Sequence, residues 1–325
     1  MRNPNASFSS TAARFKKHLA AFKTFLKKQA SEFESEVKEQ AKKCILPKGK
    51  YLRPMLVFCA AASPEPRKDA VARAAVAELI HLSSLIHDDV IDNASLRRGS
   101  PTAYKTFGAK NAVLLGDALF AHAMSIAFDE ADPFVWKSSV DTVKSLCQGE
   151  IMQSLAAKGA YDYKKYLQII DGKTAALFKF SCGVGAACAK DEAWTLAAQK
   201  AGLRLGRAYQ MYDDICDWLM SEKRSGKTAG TDFVSEKYTL PVIALLSKLP
   251  KREAAKLSKS FSEFTRADMA SLMKDCGVVE ECKKLFDAEI SAARAELEKF
   301  GGKSEYLAEF AAELAGLMPE KWGSI

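Results

Sequence analysis

The sequence predicts an all-α protein that folds as a single-domain helical bundle. Apolar residues make up 48% of the 325 positions, and through most of the chain they recur at the three- and four-residue spacing of amphipathic helices. Glycine and proline are sparse, and no strand-type alternation persists over a long stretch. Because no repeat or linker divides the chain, we expect one domain over 1–325, made of an N-terminal helical arm (1–46) and a core (47–325).

The apolar periodicity, with the prolines and glycines that interrupt it, sets the predicted helices. Pro47 and Gly49 end the first helical stretch, Pro54 suits a helix start, and Pro133 separates two later helices. A loop is expected from Arg97 to Thr102. The predicted segments are 14–44 (one or two helices), 55–62, 69–92, 109–128, 134–157, 163–172, 173–189, 193–220, 239–248, 251–273, 279–299 and 304–318.

The net charge of +8 comes almost entirely from the N-terminal arm. Residues 1–31 carry seven basic residues and no acidic one, and the rest of the chain is close to neutral. A basic surface over the whole protein is not indicated, so we expect no nucleic-acid partner. An acid-free amphipathic start can be an organelle transit peptide. However, Phe15, Leu19, Phe22 and Leu26 recur at the spacing of a packed helix, which favours an uncleaved arm.

The eight cysteines are scattered and form no Cys-x-x-Cys pair, and four histidines are too few to complete a zinc site with them. Without a hydrophobic signal peptide, reduced thiols and a cytoplasmic location are predicted. No apolar run approaches the length needed to span a bilayer, so no transmembrane segment is expected.

Two clusters of aspartates follow amphipathic helical segments. On a helix, the first and last aspartate of each cluster share a face, where like charges repel. One cluster alone is explained as a solvated helix end. Two clusters facing one another across a cavity would hold Mg²⁺, with Mn²⁺ as a substitute, and Mg²⁺ typically bridges carboxylates to substrate phosphates. The repeat therefore predicts a diphosphate site. The clusters are Asp88, Asp89 and Asp92, then Asp213, Asp214 and Asp217 at the same Asp-Asp-x-x-Asp spacing.

Both motifs, in this order and spacing, resemble those of the trans-isoprenyl diphosphate synthases, the polyprenyl synthetase family. The resemblance runs from about Gly49 to Pro241 and is nearest to the long-chain, octaprenyl-type enzymes. It implies an isoprenoid synthase fold around a central apolar cavity, with 47–325 as the catalytic core, and a homodimer. It also implies a prenyltransferase that condenses isopentenyl diphosphate head-to-tail with an allylic diphosphate, giving an all-trans polyprenyl diphosphate.

The same resemblance assigns roles to individual residues. Positions serving isopentenyl diphosphate match Lys50, Arg53, His81 and Arg98. Positions serving the allylic diphosphate match Arg97, Lys173, Thr174, Gln210, Lys227 and Lys237. All six aspartates are the expected metal ligands, and the expected catalytic residues are Asp88, Asp89, Asp92, Lys173, Asp213, Asp214 and Lys227. Thr228 and Glu236 stand where the family usually has Pro and Gly, which leaves open the conformation of the loop that carries Lys227 and Lys237.

Three other functions remain open. A terpene cyclase also ionises a diphosphate but does not need the second diphosphate site that Lys50 and Arg53 indicate. A non-catalytic subunit of a heteromeric synthase is expected to lose motif aspartates, and this chain keeps all six. A farnesyl or geranylgeranyl diphosphate synthase would share the chemistry but make a shorter product.

Product length has its own sequence signal. Short-chain members of the family often carry an aromatic residue four or five positions before the first aspartate, or a motif longer by two residues. This chain has Ser84 and Ser83 there and a compact motif. We therefore expect a product longer than geranylgeranyl diphosphate, with the floor of the cavity near Met124 or Phe128.

Overall fold

The computed structural model describes residues 8–46, 49–97, 99–155, 162–219, 238–259 and 264–318. Over these residues the chain is a bundle of α-helices, which confirms the predicted all-α class. The predicted site residues Arg98, Lys227 and Lys237, with Thr228 and Glu236, lie outside the described residues. The α-helices are α1 (Ser9–Arg14), α2 (Lys16–Ser31), α3 (Ser35–Ile45), α4 (Leu52–Ala61), α5 (Lys68–Ile91), α6 (Ala103–Asp129), α7 (Pro133–Leu155), α8 (Tyr163–Ile170), α9 (Ala176–Ala186), α10 (Glu192–Leu219), α11 (Leu240–Lys248), α12 (Lys251–Lys259), α13 (Arg266–Asp275), α14 (Val278–Leu297) and α15 (Glu305–Ala315).

The region after the first aspartate motif differs from its prediction for local reasons. α6 begins at Ala103, before the predicted 109, because the Thr102 side chain accepts a hydrogen bond from a backbone amide of the first turn and so caps the helix. Gly108, with φ 79°, makes a kink inside this helix. The predicted loop contains a short antiparallel pairing of Leu96–Arg97 (β1) with Ser100–Pro101 (β2).

Two other boundaries also differ from the predictions. The expected break between 172 and 173 is absent, because a π-helical turn, Asp171–Ala175, joins α8 to α9 without interruption. The single helix expected over 251–273 is two helices, α12 and α13. The second starts at a capping box in which Thr265 and Asp268 satisfy each other's backbone amides.

The N-terminal helices are part of the hydrophobic core. Phe15 and Phe22 are at most 2% exposed, and the ring of Phe8 stacks on Phe310 of α15 with 4.4 Å between centroids. The Glu313 carboxylate of α15 accepts hydrogen bonds from backbone amides at the start of α1. The N-terminal arm is thus packed against the C-terminal helix of the described chain.

α5 and α6 have the length and apolar composition of a membrane span, which differs from the expectation that no apolar run reaches this length. The apolar window of α5 is 72% buried and that of α6 is 39% buried. Core helices of folded proteins share these properties, so length and composition alone assign neither helix to a membrane.

One surface of α6 and α7 exposes large apolar side chains. Phe128 is 69% exposed and meets Trp136 edge-on, with 5.8 Å between ring centroids. Phe128 therefore does not form the floor of a cavity within this chain. We call this surface the α6/α7 face and define it by Leu114, Phe128, Trp136, Val140 and Ile151.

Candidate active site

The two aspartate motifs lie at the ends of helices: the first at the C-terminal end of α5, the second in the last turns of α10. Lys173 of the π-turn is near residues of both motifs. Its ammonium lies within the electrostatic influence of Asp88 and Asp92. It also lines a cavity of about 130 Å³ with Asp214 of the second motif. Other residues lining this cavity are Gln153, Tyr166, Thr174 and Gln210.

Asp88 is held in an environment that disfavours its negative charge. Burial raises its pKa to about 6 in spite of the opposing charge of Lys173, and the acidic neighbours Glu150 and Asp92 contribute to the rise. A cation near Asp88 would offset this unfavourable ionisation. The electrostatics of the first motif therefore suit a carboxylate that operates beside a positive charge.

Asp89 already has a protein cation as its partner. Nε and Nη2 of Arg97 approach Asp89 Oδ1 at 2.9 and 2.8 Å, and Asp89 is 4% exposed. The short β1–β2 hairpin places Arg97 against the end of α5. A charged hydrogen bond at a buried carboxylate is stronger than a neutral one, so this pair fixes the hairpin to the motif.

Lys173 is oriented by two side chains of α7. Its Nζ lies 2.5 Å from Glu150 Oε2 and donates a hydrogen bond of 2.9 Å to Gln153 Oε1. Burial disfavours the Lys173 ammonium, but the charges of Asp88 and Glu150 outweigh it and raise the pKa of Lys173. The site thus keeps a protonated lysine between the two motifs.

Close packing of two glycines makes this arrangement possible. A Cβ on Gly149 would lie 2.7 Å from the backbone nitrogen of Lys173, and one on Gly172 would lie 2.8 Å from the Cα of Gly149. α7 and the π-turn therefore approach at backbone distance. On the far side of the turn, Arg207 binds both carboxylate oxygens of Asp171 at 2.5 and 2.6 Å. The π-turn that carries Lys173 is held from both sides, as is common for such turns at functional sites.

Asp214 is the centre of a hydrogen-bond network in the second motif. It is 3% exposed and accepts hydrogen bonds from the Tyr166 hydroxyl (2.7 Å), the Gln210 amide (2.7 Å) and the Leu240 backbone amide (3.2 Å). Thr174 donates to the Gln210 carbonyl at 2.6 Å. Burial and the contact with Asp214 raise the pKa of Tyr166 well above its usual value, so the phenol stays a donor.

Lys50, Arg53 and His81, three of the residues predicted to serve isopentenyl diphosphate, are not among the residues that line this cavity. Lys50 and Arg53 flank the start of α4, where Tyr51 adopts a left-handed conformation with φ 51°. Lys50 is exposed, and the Arg53 guanidinium lies 5.7 Å from the ring centre of Phe178. His81 is partly buried on α5, two turns before Asp88.

The two serines of the product-length prediction differ in orientation. Ser83 is 5% exposed, and its hydroxyl donates to the Gly116 carbonyl of α6 at 2.9 Å. Ser84 bonds to the His81 carbonyl within its own helix and is partly exposed. Ser83 therefore belongs to the α5–α6 contact, whereas Ser84 lies outside it.

Sequence reasoning missed four residues of this region: Glu150, Gln153, Tyr166 and Arg207. On an amphipathic helix, a lone acid or amide is assigned to the surface by default. The Gly-Glu-x-x-Gln order on α7 puts a small residue, an acid and an amide within about one turn, and it is the only sequence signal for the first two. No sequence signal pointed to Tyr166 or Arg207.

The acidic side chains of the site suit a metal ion that is shared with a substrate. Within the described part of the chain, no three acidic, histidine or cysteine side chains are grouped to hold a metal by themselves. Mg²⁺ usually keeps several waters and binds through one or two carboxylates plus substrate phosphates. Aspartates on two helix ends, one of them costly to ionise, fit that requirement better than a closed protein site.

Comparison with known proteins places the chain in a family. A profile described as Polyprenyl synthetase matches residues 34–276. The all-trans-nonaprenyl-diphosphate synthase (geranyl-diphosphate specific) of Rhodobacter capsulatus is 30% identical over 286 residues, covering 86% of this chain and 88% of that protein. The heptaprenyl diphosphate synthase component 2 of Geobacillus stearothermophilus is 35% identical over 252 residues, covering 75% and 78%. Relatives named geranylgeranyl diphosphate synthase match as well, so the relatives do not agree on product length.

Solved structures lead to the same family. The polyprenyl synthase from Caulobacter crescentus CB15, complexed with calcium and isoprenyl diphosphate, is 28% identical and has a TM-score of 0.86, with 97% of this chain and 98% of that chain covered. The profile match spans more than half of the sequence, and the Rhodobacter relative is aligned over most of both proteins. The chain therefore belongs to the polyprenyl synthetase family and is a trans-prenyl diphosphate synthase, a prenyltransferase.

Proposed function

We propose that the protein condenses isopentenyl diphosphate with an allylic diphosphate, in a Mg²⁺-dependent reaction, to an all-trans polyprenyl diphosphate longer than geranylgeranyl diphosphate. The observation that carries the proposal is the position of Lys173. This protonated lysine is coupled to Asp88 of the first motif and lines a cavity with Asp214 of the second. A diphosphate placed there would meet a cation and both acidic helix ends.

The six aspartates divide into two roles in this proposal. Asp88, Asp92, Asp213 and Asp217 would hold Mg²⁺ together with diphosphate oxygens. Asp89 and Asp214 are nearly fully buried, Asp89 against Arg97 and Asp214 against Tyr166 and Leu240, so they support the geometry of each motif. The bound Mg²⁺ would neutralise charge on the allylic diphosphate as it departs.

The protein's own cations complete the leaving-group site. Lys173 would donate to the departing diphosphate, exchanging its contacts with Glu150 and Gln153 for phosphate oxygens. The carbon–oxygen bond of the allylic substrate breaks and the diphosphate takes the electron pair. The double bond of isopentenyl diphosphate then forms the new carbon–carbon bond, and a proton is lost, with the diphosphate as its acceptor. Thr174, Gln210, Arg97, Lys227 and Lys237 would help to orient the allylic diphosphate.

The second substrate would bind at the start of α4. Arg53 can bind two phosphate oxygens at once, and Lys50 acts as an exposed point charge. His81 and Arg98 are the other proposed partners of isopentenyl diphosphate. Separate sites for the two diphosphates distinguish this proposal from a terpene cyclase, which ionises one.

Product length follows from the wall beneath Asp88. Ser84, Ile80 and Ala77 descend along α5 at about one turn each, roughly 5 Å per step. No aromatic side chain occupies the first step of this wall. A product that grows past it would be longer than geranylgeranyl diphosphate, although the family also contains shorter-chain synthases.

The α6/α7 face supports a homodimer. Leu114, Phe128 and Ile151 are more than half exposed there, and apolar patches of this kind mark association surfaces. A second copy of the chain would cover the same side chains on both subunits. Light scattering on the purified protein tests this: a mass of one chain would reject the homodimer, and a Phe128→Lys variant should dissociate it.

The location is proposed to be the cytoplasm, since all eight cysteines are free thiols and none is joined to another. Thiol titration of protein purified without reductant should therefore count reduced cysteines. A disulfide in the native protein would argue against this location.

The activity is tested by incubating the purified protein with labelled isopentenyl diphosphate and each allylic primer in turn, then sizing the products. Products longer than geranylgeranyl diphosphate are expected with Mg²⁺, none with a chelator, and activity should return when Mg²⁺ is restored. A product that stops at farnesyl or geranylgeranyl diphosphate would reject the length. A cyclic hydrocarbon formed without isopentenyl diphosphate would reject the reaction.

A further inference from the structure

Tyr166 lies on α8 and is 3% exposed, so by burial alone it would count as an aromatic residue of the core. Its hydroxyl, however, donates a 2.7 Å hydrogen bond to Oδ2 of Asp214, in the middle of the second aspartate motif. It also lines the 130 Å³ cavity that contains Lys173. A phenol in this place contacts the side of the motif that faces away from the solvent.

The carboxylate of Asp214 joins three separate elements. Oδ2 accepts from Tyr166 of α8 and, at 3.2 Å, from the backbone amide of Leu240, the first residue of α11. Oδ1 accepts from Gln210, one turn earlier on the same helix. Gln210 in turn accepts from Thr174 of the π-turn. The direction of one carboxylate thus determines the direction of two side chains that line the cavity.

The contribution of Tyr166 can be separated from that of Leu240. The phenol bond is the shorter of the two at Oδ2, and a hydrogen bond to a charged acceptor depends strongly on distance and alignment. The α11 amide is part of the backbone and cannot follow the carboxylate if it turns. Without the phenol, Oδ2 would lose the shorter of its two hydrogen bonds, so the Asp214 carboxylate would be held less firmly about its terminal torsion, and Gln210 with it.

We propose that Tyr166 is a positioning residue of the diphosphate site: through Asp214 it fixes Gln210 and Thr174 in the orientation that binds metal-complexed diphosphate. The inference rests on the proposed function. Tyr166 acts through Asp214 and does not touch the reacting atoms. Loss of its hydroxyl alone should therefore weaken diphosphate binding, and the ring that remains should keep the bundle folded.

The test is calorimetric titration of the full-length protein with inorganic diphosphate in the presence of Mg²⁺, which needs no turnover. Tyr166→Phe removes the hydroxyl and keeps the ring. Tyr163→Phe is the matched control, because Tyr163 is on the same helix, with its ring 6.2 Å from that of Tyr166. The expected result is a diphosphate affinity at least about tenfold weaker in Tyr166→Phe, near wild type in Tyr163→Phe, and a melting temperature similar in all three proteins.

Affinity within twofold of wild type in Tyr166→Phe would overturn the inference, as would an equal loss in Tyr163→Phe. If wild type itself shows no Mg²⁺-dependent binding of diphosphate, the proposed function fails as well, which separates the two outcomes. If Tyr166→Phe does not fold, Tyr166→Met removes the same hydroxyl donor and keeps a bulky apolar side chain. Unchanged affinity in that variant would overturn the inference, and a tenfold loss at an unchanged melting temperature would support it.

Discussion

Replacing Asp88 with asparagine should stabilise the metal-free protein while abolishing its activity. Burial, with Glu150 and Asp92 nearby, holds the pKa of Asp88 at about 6, against an ordinary value of 3.8. Since one pKa unit corresponds to about 1.4 kcal/mol, the ionised carboxylate costs the fold about 3 kcal/mol at neutral pH. Asparagine has nearly the same shape and carries no charge, so it removes this cost.

The stability gained in Asp88→Asn should depend on pH. The folded state of the wild type binds an extra proton between pH 4 and pH 6, so its free energy of unfolding falls as the pH rises through this interval. The advantage of Asp88→Asn should therefore be complete above pH 7 and should shrink towards zero near pH 4.

Urea unfolding at fixed protein concentration, with a chelator and at several pH values, measures this advantage. Asp287→Asn is the control, because Asp287 is exposed on α14 and the same substitution there removes no buried charge. The reasoning is refuted if Asp88→Asn is less stable than wild type at pH 8, or if its advantage does not vary with pH.

Four further substitutions test the site and the packing that supports it. Gly149→Ala should destabilise the protein by about 1–3 kcal/mol and lower turnover, because the new Cβ would lie 2.7 Å from the Lys173 backbone; stability and initial rate are the measurements. Ser84→Phe should shorten the product and leave the first condensation intact. Ser83→Phe should also lower stability, because Ser83 is packed on α6. Product sizing measures the first effect, and the melting temperature measures the second. Glu313→Ala should cost about 1–2 kcal/mol of unfolding free energy in a denaturant titration, because it leaves backbone amides of α1 without their acceptor.

Each of these has a control or a contrary outcome. Gly302→Ala adds a Cβ that meets nothing within 4 Å and should be neutral, so an equal effect there would remove the packing argument for Gly149. Unchanged product length in both serine variants would show that neither position faces the growing chain. Wild-type stability in Glu313→Ala would mean that water replaces the carboxylate at α1.

The sequence predicts the helical class and the acidic motifs for a physical reason. Apolar spacing reports which face of a helix is buried, and six aspartates at a repeated spacing cannot be explained by burial. The π-turn that carries Lys173 escaped prediction because one extra residue per turn changes hydrogen bonding but leaves the polarity pattern almost unaltered. The role of Glu150 escaped for a different reason: its partner is more than twenty residues away in the chain and is reached only because Gly149 and Gly172 touch.

The two motifs have identical spacing but unlike surroundings, and helix geometry explains the difference. The first and last aspartates of each motif are one turn apart on one face, while the middle one points about 100° away, towards neighbouring elements. In the first motif the middle aspartate meets a guanidinium, Arg97, on a hairpin strand. In the second it meets neutral donors, a phenol, an amide side chain and a helix amide. Both solutions neutralise or satisfy a nearly fully buried carboxylate with protein groups. The outer aspartates are more exposed, which is why we propose them as the ligands of the metal ions. The Asp-Asp-x-x-Asp spacing thus serves two purposes. The two aspartates on one face form the proposed metal site, and the one beside them attaches the motif to the bundle.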